Sequence, residues 1–152
     1  MNMSNIKLNK IFKTVCIASD HAGFRLKELI KNHLIDKKVS IFDIGPFNEK
    51  SVDYPDYAKK VGNRIKLKKS DVGILVCGSG TGMAISANKI RTIRAAVCYN
   101  LRSTRLSRQH NNANIIAIGS RLTKKKISLK LVEVFLTTEF EGGRHLKRIK
   151  KI

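Results

Sequence analysis

Cysteine is scarce: Cys16, Cys77 and Cys98 are the only three in 152 residues, each ends or lies within an apolar run, and no CxxC occurs. An odd number without paired spacing excludes a disulfide framework and the common zinc and dithiol patterns. No apolar run approaches the roughly 20 residues that would cross a bilayer, and Met1 to Lys13 lacks the apolar stretch of a secretory signal. The expectation is a cytoplasmic protein with no membrane partner. Repeats, long linkers and low-complexity tracts are missing too. That leaves a single domain over residues 1–152, with 1–13 as an N-terminal extension and 141–152 as a basic C-terminal segment.

Acidic residues are the second shortage. Eleven Asp and Glu against 31 Lys and Arg leave a formal charge of +20. Such a field draws polyanions and steers small phosphorylated molecules. The basic residues are spread over Lys7–Lys13, Lys59–Lys69, Lys124–Lys130 and Arg144–Lys151 and do not form one stripe between aromatics, so nucleic acid is not the expected partner. Hydrophobic residues at 42% suffice for a packed core.

What is present is an alternation of short apolar runs with stretches of helical period. Thr14–Ser19, Val39–Ile44, Val72–Cys77, Ile93–Cys98 and Ile115–Gly119 have the length and near-continuous apolar character of strands covered on both faces. Between them, Leu26, Leu29, Ile30 and Leu34 fall at helical spacing, Pro55 suits a first helical turn before a helix to Lys69, and helices follow at about Gly82–Ile90 and Leu101–Gln109. Leu129, Val132, Phe135 and Leu136 give a last long helix its apolar face, which the pair Gly142-Gly143 ends. The fold class expected is α/β: a three-layer α/β/α Rossmann-like sandwich with a parallel sheet of about five strands.

The third strand ends in Cys77-Gly78-Ser79-Gly80-Thr81-Gly82-Met83. In open α/β sheets ligands bind just beyond such carboxyl ends, and a glycine-rich turn ahead of a helix lets backbone N–H groups converge on an anion. A dinucleotide fingerprint fails, because the third glycine position falls on Met83 or Ile85. A nucleotide P-loop fails for want of a following Lys. A thiol at this strand end, beside backbone donors, has its thiolate favoured, which suits a base acting next to a held oxyanion. Cys16 and Cys98 lack such a loop and read as buried hydrophobes.

The chain resembles the ribose/galactose isomerase family, the type B ribose-5-phosphate isomerases with the related galactose-6-phosphate and allose-6-phosphate isomerases. The matching segments run in order: ASDHAG from Ala18, VDYPDYA from Val52, GILVCGSGTGMAISANK from Gly73, IRAAVC, SRQHNNANIIAIGSR and EFEGGRHLKR. The resemblance implies interconversion of an aldose and a ketose phosphate, ribose 5-phosphate and ribulose 5-phosphate first, through an enediolate. The alternative within the family is a hexose 6-phosphate; a basic nucleic-acid-binding module is the distant alternative from outside it. No hydride acceptor, metal or other cofactor is called for.

By the same resemblance Cys77 is the proton-transfer base, with Gly78, Gly80, Thr81 and Gly82 at the oxyanion and Ser79 relaying a proton. Asp20 orients a substrate hydroxyl, although an Asp at this place can equally cap the following helix. His21 touches substrate, Asp53 and Tyr54 contact hydroxyl and ring oxygens, His110 assists ring opening and Asn111 binds a substrate oxygen. Arg121, Arg144 and Arg148 bind phosphate, in keeping with the bidentate fit of guanidinium groups. The resemblance also implies a homodimer or a dimer of dimers whose pockets are shared between chains. His33 reads as structural, and His145 has no assigned role.

Overall fold

The computed structural model describes residues 8–152. Five strands, β1 (Val15–Ser19), β2 (Ile41–Gly45), β3 (Val72–Cys77), β4 (Ala95–Val97) and β5 (Ile115–Gly119), are each followed by a helix, and a sixth helix follows the fifth. The helices are α1 (Phe24–Asp36), α2 (Tyr54–Lys66), α3 (Thr81–Ala87), α4 (Leu101–Gln109), α5 (Lys125–Thr137) and α6 (Gly143–Ile149). All strand pairs are parallel, in the order β2-β1-β3-β5-β4. The expected three-layer arrangement is present.

Successive side chains of a strand point to opposite faces, and this divides the core in two. Val15, Ile17, Val72, Ile74, Val76, Ile116 and Ile118 pack with Leu26, Ile30 and Leu34 of α1 and Leu131, Val132 and Phe135 of α5. Cys16, Ala18, Leu75, Cys77, Ile115 and Ala117 pack with Ala58, Val61 and Ile65 of α2 and Met83, Ala84 and Ala87 of α3. At about 25 cal/mol per Å2 of apolar surface, each fully buried Ile or Leu contributes roughly 1.5–3 kcal/mol. Parity also sends the Cys77 side chain to the α2/α3 face, at the carboxyl end of β3.

Several boundaries differ from the sequence reading. β4 is shorter than Ile93–Cys98, because Arg94 N–H is taken by Asn114 Oδ1 at 2.8 Å and Ile93 leaves the ladder for the core. α3 stops at Ala87, where Asn88 pairs its side chain with Ala95 N–H and carbonyl at 2.7 and 2.9 Å. α2 begins at Tyr54 and ends at Lys66, followed by Lys68 with φ +56°. The glycine pair does not end the last long helix, which already stops at Thr137; Gly142 and Gly143, at φ +67° and +51°, turn the chain into α6. Of the N-terminal extension, residues 1–7 lie outside the described residues, while Leu8 and Phe12 pack against the core.

Lys27, between the apolar positions of α1, is fully buried. Its Nζ lies 2.8 Å from Asp43 Oδ1 and Oδ2 on β2 and 2.8 Å from Glu28 Oε1. A buried ammonium needs that partner, since its desolvation is otherwise prohibitive. His33 meets the structural expectation: Nε2 is 2.7 Å from Glu133 Oε1 on α5.

Candidate active site

Strand order reverses between β1 and β3, which diverge in their connections, and a crevice opens at their carboxyl ends as such switch points predict. Asp20, Tyr54, Cys77, Gly78, Ser79, Gly82, Arg121 and Leu122 line a cavity of about 290 Å3 there. Cys77 is mostly buried at 4% exposure, with its sulfur accepting the Gly80 N–H at 3.1 Å. That bond requires the turn to close tightly: Gly80 has φ +79°, and a Cβ on it would sit 3.0 Å from the Ile118 carbonyl carbon. Only glycine takes this position without strain.

The segment leaving β5 holds the turn by two backbone bonds. Ser120 N–H donates to the Cys77 carbonyl at 2.8 Å and Arg121 N–H to the Gly78 carbonyl at 3.0 Å. Arg121 is thereby carried over the turn; a Cβ on Gly78 would lie 3.2 Å from its Nη1. Asp20 sits across the crevice, buried, with Oδ1 accepting Gly23 N–H at 2.8 Å. It braces the turn before α1, whose N-cap is Gly23 and not Asp20, and it lines the cavity wall. Thr81 N–H donates to Ser79 Oγ at 3.2 Å. Val52 N–H donates to His21 Nδ1 at 3.3 Å, tying the segment before Asp53 and Tyr54 to the end of β1.

A second group forms at the other edge of the sheet. A helix joining two parallel strands returns the chain to their amino ends, so His110, the residue after α4 and ahead of β5, lies there. Its ring stacks on His145 of α6, centroids 4.2 Å apart and planes 10° from parallel. Glu141 Oε2 is 3.6 Å from His145 Nε2 and 3.9 Å from His110 Nε2. Burial first, then the charges of His110 and Arg144, hold the His145 imidazole below its ordinary value. β3 and β5 pair from Gly73–Ile115 to Cys77–Gly119. That paired stretch spans roughly 13 Å at about 3.3 Å per residue, and His110 lies beyond its near end.

The family model for ribose/galactose isomerases matches residues 15–152. Ribose-5-phosphate isomerase B of Escherichia coli is 41% identical over 140 residues, covering 92% of this chain and 94% of the relative. Among solved structures, a ribose 5-phosphate isomerase of Thermotoga maritima superposes with TM-score 0.89 at 51% identity, covering 91% of this chain and 95% of that one. Ribose-5-phosphate isomerase B of Mycoplasma genitalium, with bound ribulose-5-phosphate, gives TM-score 0.86 at 41% identity, covering 91% and 92%. The chain belongs to the ribose/galactose isomerase family.

As a member of the ribose/galactose isomerase family the chain is an aldose–ketose isomerase, and its expected site residues fall into two sets. Cys77, Gly78, Ser79, Gly82, Asp20, Tyr54 and Arg121 line the cavity, with Gly80 and Thr81 inside the same turn and His21 and Asp53 on adjoining loops. His110, Asn111, Arg144 and Arg148 are not on that wall. Asn111 instead lines a cavity with Arg94, Ala95 and Ile152, its carbonyl accepting Arg94 Nε–H at 3.1 Å.

Among the described residues, no helix is long and apolar enough to cross a membrane. Three contributors escaped the sequence reading. Leu122 closes the cavity beside Arg121. Glu141 lies within the quoted EFEGGRH segment, where an acid next to glycines carries no signal of what it faces. Arg108, buried, donates to the carbonyls of Thr138 at 3.1 Å and Ala113 at 2.5 Å, which anchors the chain leading to Glu141 against the end of α4. Burial first, and then Arg94, bring its guanidinium down to about 10.

Proposed function

We propose that the protein interconverts ribose 5-phosphate and ribulose 5-phosphate through an enediolate, with Cys77 as the base. The observation that carries this is the placement of Cys77 Sγ on a cavity wall, held by the Gly80 N–H, with Arg121, Asp20 and Tyr54 around the same space. As thiolate, Cys77 takes the proton from sugar C2. The C–H electrons become the C1–C2 double bond, and the carbonyl electrons move onto O1, where the N–H groups of the Gly78–Gly82 turn offer hydrogen bonds. A proton passes from O2 to O1 through the Ser79 hydroxyl, with Asp20 orienting the hydroxyls. The thiol then returns its proton to C1 as the C2 carbonyl forms. Atoms and electrons balance within the sugar.

Ring opening precedes this step and falls to His110, which takes the proton of the anomeric hydroxyl and gives one to the ring oxygen. Asn111 binds a sugar oxygen, and Arg121, Arg144, Arg148 and His21 hold the phosphate. Because His110 and Cys77 stand at opposite edges of one sheet, the reading calls for a second copy of the chain. Its His110 group would complete the cavity of the first, in a homodimer or a dimer of dimers. Turnover of ribose 5-phosphate by purified enzyme, set against allose 6-phosphate and galactose 6-phosphate, tests the substrate. Faster turnover of a hexose phosphate would assign the chain to the other branch.

A further inference from the structure

His145 is a buried histidine without a part in the reaction as written, yet it is built against a residue that has one. Its side chain is 7% exposed and stacked flat on His110, whose side chain is 37% exposed. One ring is a platform and the other is presented to solvent. A single oxygen of Glu141 faces both Nε2 atoms, at 3.6 and 3.9 Å. The backbone fixes this arrangement: Glu141 N–H donates to the Gln109 carbonyl at 3.1 Å, and His145 N–H donates to the Gly142 carbonyl at 3.0 Å.

Two imidazoles and a carboxylate within 4.8 Å of one another are also a donor set that zinc uses. The stacking argues against a chelate. Nitrogen lone pairs lie in the ring planes, and two stacked planes only 10° from parallel do not meet at a point about 2 Å from each nitrogen.

We propose that His145 and Glu141 are positioning residues for His110, the stacked ring fixing its orientation and the shared carboxylate placing a negative charge beside both Nε2 atoms. The inference rests on the reading of His110 as the ring-opening residue. Two imidazolium charges stacked face to face at this distance repel each other. The charged groups acting on His145 are His110, Glu141, Arg144 and Arg148. Of these only Glu141 favours the protonated form, and His110, Arg144 and Arg148 oppose it.

NMR titration of the histidine ring signals in the full chain tests the coupling without reference to activity. His145 is expected to titrate at higher pH in His110→Gln and at lower pH in Glu141→Gln. Independent curves that ignore both replacements would overturn the pairing. The catalytic half is read from kcat/KM for ribose 5-phosphate against pH. Glu141→Gln should shift the acidic limb to lower pH, and His145→Phe, which keeps a flat ring, should retain turnover that His145→Ala loses by about tenfold.

An unmoved limb in a folded Glu141→Gln protein would overturn the positioning role, as would equal activity of the Phe and Ala variants. Normal turnover in His110→Gln would sink the reading of His110 itself, a failure that the NMR coupling distinguishes from a failure of the pairing.

Discussion

The Gly80 N–H reaches back across one turn to the sulfur of Cys77 at 3.1 Å, so the group proposed as base and the cradle proposed for the oxyanion are parts of one loop. Cys77→Ala should therefore lower kcat by about 10^2- to 10^4-fold, the range for a positioned base, with KM little changed. Alkylation gives an independent check. Burial pushes the Cys16 thiol up to about 11 and raises Cys98 as well, whereas Cys77 lines the cavity. Iodoacetamide attacks thiolates, so peptide mapping at mildly alkaline pH should find Cys77 modified first, in step with loss of activity. Labelling of Cys16 or Cys98 ahead of Cys77 would contradict the assignment.

Gly80→Ala addresses the loop without touching the thiol. The left-handed backbone costs a residue with a Cβ about 1–2 kcal/mol, and the added carbon meets the Ile118 and Gly119 backbone at 3.0–3.2 Å. The turn must shift, carrying its amides away from the sulfur. The melting temperature should fall by several degrees, while kcat falls by a factor of about 10^2 or more, as for loss of an oxyanion donor. A variant that is less stable but equally fast would mean that these amides hold no developing charge.

The fold was readable because β1, β3 and β5 carry nearly unbroken apolar runs that only a doubly covered parallel sheet accommodates. What escaped reading depends on partners distant in sequence. Lys27 sits among leucines at a helical spacing that also describes a solvent face; only Asp43, on a different element, explains its burial. Helix α6 is signalled in the sequence only by the four-residue separation of Arg144 and Arg148, since the glycines ahead of it equally end a helix or turn the chain into another. The motif residues near Cys77 came together as expected. That His110 faces the opposite edge follows from parallel strands joined by returning helices, a constraint that local patterns do not state.

Asp43→Asn should be strongly destabilising although it lies away from the cavity. Burial pushes the Asp43 carboxyl up, but Lys27, Lys31 and the Gly45 N–H outweigh it and hold it below the ordinary value; Glu28 is also held low by the two lysines. Removing one partner of a buried pair costs about 3–5 kcal/mol, with the lower end expected because Glu28 still reaches Lys27. Urea denaturation reads the loss. The same carboxylates give stability that is fully present above their unfolded value of about 4 and is lost as pH falls through the depressed folded values. The midpoint of wild-type acid unfolding should thus lie below pH 4, and Asp43→Asn should flatten the dependence. An unchanged urea midpoint would show that the pair is energetically neutral.

The proposed sharing of the site between chains has a consequence that no single-chain arrangement reproduces. If each pocket takes Cys77 from one protomer and His110, Arg144 and Arg148 from the other, Cys77→Ala and His110→Ala proteins are both inactive alone. In a mixed dimer one pocket carries both defects and the other carries neither. Equal amounts of the two variants, unfolded together and refolded, should pair at random, so half of the dimers are mixed and half of their pockets are intact. Activity should return to about a quarter of wild type. Two pockets each built within one chain would stay defective in every pairing, and the mixture would remain as inactive as its components. Mixing without refolding provides the control, because recovery must then wait for subunit exchange, whose rate size-exclusion or mass measurements on tagged chains can follow in parallel.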